Sequence, residues 1–154
     1  MMKMVRISGA GGTRWAIAVL YGIIAAGAFA ENEYRSPVAL AAVSETALYA
    51  AEYTAHTIAV VDSAKGVVSN RFETPQAPGG IALSSDGKKI FVVGSAPEGA
   101  VYVMNAANGT IEATIPVGHT PDALALHPQG NRLYVANRFT NDISVIDLAA
   151  NAEK

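Results

Sequence analysis

The chain has 154 residues, 51% hydrophobic and 16% charged, a balance that excludes an intrinsically disordered polar tract. Its net charge of −2 provides no basic face for nucleic acid. With no cysteine it excludes disulfides, thiolate metal sites, a cysteine nucleophile and a CxxCH haem attachment, so packing must supply its stability.

In chain order, Lys3, Arg6 and Arg14 come first, followed by the uncharged run Trp15–Ala28, the small-residue pattern Ala28-Phe29-Ala30 and the acidic Glu31-Asn32-Glu33. This order predicts a bacterial-type secretory signal peptide over residues 1–30. The apolar run of 14 residues is short of the roughly 20 that cross a bilayer as a helix, which favours cleavage after Ala30 over retention as an anchor. Cleavage removes three of the 11 basic residues and none of the 13 acidic ones, leaving 8 against 13 and a net charge of −5. No later stretch is long enough to span a membrane, so the expected location is the periplasm, the medium or the cell surface.

From residue 37 onward the sequence repeats. Pro37–Asp62, Pro78–Asn105 and Pro121–Asp147 align, with Tyr49, Phe91 and Tyr134 separated by 42 and 43 residues and Asp62, Asn105 and Asp147 by 43 and 42. Each repeat divides into short runs of strand formers. In the second these are Gly80–Leu83, Lys89–Val93, Ala100–Met104 and Thr110–Pro116. Asp86-Gly87 and Asn108-Gly109 separate the outer pairs with dipeptides that tolerate positive φ and favour tight hairpins. Four antiparallel strands in about 42 residues define an all-β chain of β-propeller blades. The first strand of each repeat alternates small and larger residues, as in Ala123-Leu124-Ala125-Leu126, which suits the crowded axis of a propeller. The second and third, such as Ile90-Phe91-Val92-Val93 and Ile143-Ser144-Val145-Ile146, suit positions between blades with both faces buried.

Leu133-Tyr134-Val135-Ala136-Asn137 followed by Asn141–Asp147 resembles the YVTN-type, YncE-like β-propeller repeat. Thr114–Gly118 with Pro121 is similar to that family's link between blades, and Ser84–Lys89 to its S-x-D-G-K turn. The resemblance covers residues 36–148. It implies an exported propeller of the kind found in surface-layer proteins or beside cytochrome c domains. The first repeat departs from the pattern at Ser44-Glu45-Thr46, which lacks the turn glycine, as terminal repeats often do.

The blades are expected at about 37–77, 78–120 and 121–154, the last stopping after its third strand, for a total of about two and two-thirds. Closed propellers have roughly four to eight. The count therefore predicts an N-terminal fragment of a longer propeller, with closure by further copies of the chain as the alternative.

Binding in such a scaffold falls on loops. Five are expected on one rim: the links 74–77 and 118–121, and the turns 53–56, 95–99 and 138–141. Their polar groups His56, Glu98, His119 and Arg138 are the candidate binding residues. His127-Pro128 reads as turn chemistry, and so do Asp62, Asn105 and Asp147, each ending a third strand. Asn108-Gly109-Thr110 matches a glycosylation sequon but suits a hairpin better. No catalytic residue, metal site or cofactor is expected. These features favour a non-catalytic scaffold for a protein, glycan or small ligand. The alternative is the propeller part of a larger periplasmic redox protein with a cytochrome c domain downstream. A propeller hydrolase is disfavoured, because the inner strands present Ala, Gly and Leu.

Overall fold

The computed structural model describes residues 34–153, and the signal-peptide prediction lies outside the described residues. The described residues form twelve strands in three four-stranded antiparallel sheets. The first blade is β1 (Pro37–Ala42), β2 (Ala47–Glu52), β3 (Thr57–Asp62) and β4 (Val67–Glu73). The second is β5 (Pro78–Leu83), β6 (Lys89–Gly94), β7 (Ala100–Asn105) and β8 (Ile111–Pro116). The third is β9 (Pro121–Leu126), β10 (Arg132–Asn137), β11 (Asp142–Asp147) and β12 (Ala152–Glu153). Each sheet is a meander in chain order, and β5 packs against both β1 and β9, so the three inner strands adjoin. The described residues are therefore consecutive propeller blades.

Two differences from the sequence reading have physical causes. The third blade does not stop at its third strand, because Ala152 and Glu153 pair with Asp147 and Ile146 and begin the fourth. The inner strands start earlier than expected, at the blade-leading prolines. Pro78 pairs with Gly94, but the register slips before Gly80 meets Val93, and the same irregularity follows Pro37 and Pro121. Proline has no N–H to give the ladder, so each inner strand enters its sheet through a bulge.

The outer hairpins repeat one device. Asp62, Asn105 and Asp147 each accept a backbone N–H through their side-chain oxygen, from Lys65 (3.0 Å), Ala107 (2.9 Å) and Ala149 (3.0 Å). The turn then passes through positive φ at Gly66 (67°), Gly109 (74°) and Asn151 (50°), the residue types that tolerate this region best. The Asn108 side chain accepts hydrogen bonds from both the N–H and the hydroxyl of Thr110, as the hairpin reading expects of the sequon. The first blade closes its glycine-free turn through Val43 and Ser44, whose N–H groups both donate to Ala47 O.

Strand side chains alternate between faces, so each blade carries two. The forward face of the first, with Tyr49, Ala51, Ile58 and Phe72, packs on Ile81, Ile90, Val92, Tyr102 and Met104 of the second. The forward face of the second, with Phe91, Val93, Val101, Val103 and Ile115, packs on Leu133, Val135 and Ile146 of the third. The expectation that second and third strands are buried on both faces holds for β6 and β7 and fails for the third blade. There only the face toward the second blade is covered, and Ile143 is 65% exposed.

Gly109 locks one hairpin to the neighbouring blade, since a Cβ at this position would run into the Phe72 ring. Gly66 occupies the equivalent position with φ +67° and open space around it. Gly66→Ala should therefore cost only the left-handed strain, about 1–2 kcal/mol. Gly109→Ala adds an overpacking cost and should reach roughly 2–4 kcal/mol. Urea denaturation of the two variants checks the difference, and equal losses would show that the Phe72 contact contributes nothing.

Candidate functional site

Backbone hydrogen bonds run along one rim and tie all five expected loops together. Thr74 N–H donates to His56 O (2.8 Å), Ser95 N–H to Ala77 O (2.8 Å) and Val117 N–H to Gly99 O (2.9 Å). Thr120 N–H donates to Ala96 O (2.9 Å), Arg138 N–H to Thr120 O (3.1 Å) and Phe139 N–H to His119 O (3.3 Å). The inter-blade link is thus stitched to the turn of the blade on either side of it.

Of the four candidate residues, the structure brings two together. Arg138 and His119 both contact Phe139, the guanidinium carbon 5.4 Å from the ring centroid and the imidazole edge-on with centroids 5.3 Å apart. His119 Nδ1 shares a 2.8 Å hydrogen bond with the Thr120 hydroxyl. Arg138 also reaches Asp122, 3.6 Å away, and the other oxygen of this carboxylate accepts from the Ser95 hydroxyl at 3.0 Å. These surface contacts contribute little stability each, about 0–1 kcal/mol, but together they fix the orientation of exposed groups. Phe139 remains 60% exposed. Glu98 lies on the adjoining turn, where its carbonyl accepts from Gln76 Nε2 at 2.9 Å. His56 sits in the first blade, linked to this region through Thr74 and Gln76.

Asp122 was not among the expected site residues. Its signal is positional: it follows a blade-leading proline where the second repeat has Gly79. A second polar cluster closes the rim of the first blade. Buried Glu52 accepts from the Thr57 hydroxyl (2.7 Å) and Arg71 Nε (3.0 Å), with Arg35 at 3.7 Å. The second and third repeats have Gly94 and Asn137 there, so Glu52 is an addition peculiar to the first blade. Among the described residues no group of three or more His, Asp or Glu has metal-binding geometry, and no helix is long and apolar enough to cross a membrane.

The opposite rim holds a cleft of about 410 Å³ between the first and second blades, lined by Tyr49, Gly87, Lys88, Asn105, Ala106 and Ala107. Burial pushes the Tyr49 phenol above its ordinary value, and its hydroxyl donates to Ala106 O at 2.8 Å. Nearby, Asp86 is held below the usual carboxylate range by the Ser84 hydroxyl and the Lys88 N–H. His127 Nδ1 accepts the Gln129 N–H at 3.2 Å, as its reading as turn chemistry expects.

Fold and rim define a run of propeller blades with one loop surface organised around an aromatic–cation pair. In keeping with that class, the chain is similar to the Kuenenia stuttgartiensis hydrazine synthase structure, with a TM-score of 0.72 and 21% identity over 86% of this chain. The match spans 38% of that protein's chain, and at this identity the likeness is one of fold. No protein-family model and no curated protein matches the chain.

His56 adopts φ 53° at the position where the third blade has Asn141 at 57°. Its backbone is therefore set by the turn. A left-handed residue with a Cβ costs about 1–2 kcal/mol, and glycine returns roughly 0.5–1 of that in backbone entropy. His56→Gly should stabilise the protein by about 0.5–1 kcal/mol in chemical denaturation. A loss of stability would show that the imidazole ring contributes contacts that outweigh the strain.

Proposed function

We propose that the chain is an exported, non-catalytic scaffold of the YVTN type that binds a protein partner through its loop rim. The observation that carries this reading is Phe139, exposed on a rigid loop and flanked by Arg138 and His119. Aromatic residues and arginine dominate the energetic centres of protein interfaces, where a ring already held in place loses little entropy on binding. The neighbouring polar groups serve the same end. Asp122 is engaged by Ser95 and Arg138, and His119 by Thr120, so these side chains orient the surface. The leader-like residues 1–30 support export, and the repeat motifs support the family.

A photoreactive phenylalanine analogue at position 139, in the exporting cell, tests the rim. It should give a discrete protein adduct that Arg138→Ala abolishes, while the same analogue at Gln129 on the opposite rim should give none. Equal adducts from both rims, or none from position 139, would overturn the assignment. Export has its own check: N-terminal sequencing of the exported protein should begin at Glu31, and a retained leader would refute cleavage after Ala30.

A further inference from the structure

We infer that the cleft between the first and second blades binds a small organic monoanion, whose apolar body lies against Tyr49 and Ala106 and whose carboxylate or sulfonate meets Lys88. The inference goes beyond the binding role of the loop rim and does not depend on it. At about 410 Å³ the cleft falls within the roughly 300–1,000 Å³ of small-molecule sites.

The next junction shows that particular residues open this space. The same location between the second and third blades has Phe91 for Tyr49, Gly130 for Gly87, Asn131 for Lys88 and Leu148 for Ala106. The backbone is alike at both. Ala106 N–H donates to Lys88 O at 2.9 Å and Leu148 N–H to Asn131 O at 3.1 Å, and Gly87 and Gly130 have φ of 69° and 71°. The side chains make the difference. Leu148 packs against the apolar cluster that holds Phe91, where Ala106 offers only a methyl group to the cluster that holds Tyr49. A Cβ on Gly130 would meet Ser85 Oγ at 3.1 Å, whereas one on Gly87 would find nothing within 4 Å. The second junction is filled where the first is open.

The lining decides the ligand class. Tyr49 is buried, its ring centroid 6.3 Å from that of Phe72, and its one hydroxyl proton goes to Ala106 O at 2.8 Å. The Asn105 amide is committed on both sides, Nδ2 to Glu112 at 3.1 Å and Oδ1 to the Ala107 N–H at 2.9 Å. That leaves the Lys88 ammonium as the polar group open to a ligand. Asp86 and Glu112, the carboxylates on the turn and outer strand of the same blade, are engaged. Asp86 accepts from the Ser84 hydroxyl (2.6 Å) and the Lys88 N–H (3.1 Å), and Glu112 pairs with Lys89 at 3.4 Å. An exposed cation beside a buried apolar wall complements one negative charge on an apolar body, and burying that body lowers the local dielectric around the pair.

Nuclear magnetic resonance titration with 1-naphthaleneacetate and its neutral counterpart 1-naphthaleneethanol tests the site. The purified protein should bind the anion, and the alcohol about fivefold more weakly. Lys88→Gln, a change at an exposed side chain, should remove this preference. Ala106→Leu installs the residue of the next junction, so it should keep the wild-type circular dichroism and melt while losing the anion. Undiminished binding by Ala106→Leu would put the ligand elsewhere and overturn the site, as would no binding by the wild type at millimolar concentration. Equal affinity for the two probes, or a preference that survives Lys88→Gln, would overturn the assignment to a monoanion.

Discussion

The structure depends on one constraint: a four-stranded blade has two apolar faces and no interior of its own. Buried alternation usually leaves a strand with one polar side. In β6 and β7 both parities are apolar, so the second blade is stable only between two neighbours. Ile90 and Val92 are wholly buried on one side of it, and Val93 and Val101 on the other. The hydrophobic term, about 25 cal/mol per Å² removed from water, is therefore collected between blades. The hydrogen-bonded ladders within each blade set the spacing of the side chains that meet there.

The rim follows from that stacking. Once adjacent blades are pressed together, the link leaving one and the turn of the next come within hydrogen-bonding distance, and backbone groups satisfy one another across the junction. Pro121 and Gly118 take part: a Cβ on Gly99 would strike both the Gly118 carbonyl and the Pro121 ring. Loops held this way lose the freedom that ordinary surface loops keep. Arg138, Phe139 and His119 are consequently a fixed pattern of charge and ring, and their orientation derives from the core beneath them.

Much of this was legible in the sequence because the repeat fixes register. Once Tyr49, Phe91 and Tyr134 are aligned, the hairpins and the Asx turns at Asp62, Asn105 and Asp147 follow, as does the shared rim of the five loops. What the repeat hides is what differs between its copies. Asp122 stands where the second repeat has glycine, and its bonds to Ser95 and Arg138 come from two other loops, so no local pattern announces them. Glu52 draws its partners from β3, β4 and the segment before β1 in the same way. The proline bulges escaped for a different reason: strand propensity places a strand without specifying where its ladder slips.

Burial, too, is a property of position in the array and is invisible to a repeat comparison. Tyr49 and Tyr134 are the same residue at the same point of the pattern. Tyr49 meets the next blade, where burial raises its phenol and the hydroxyl donates across the junction to Ala106 O. Tyr134 is only half-buried and contacts His127 within its own blade, with ring centroids 6.2 Å apart. A buried tyrosine needs a partner for its hydroxyl, and at this position the following blade supplies one from the turn after its third strand. The two tyrosines therefore differ in what covers them and not in what they are.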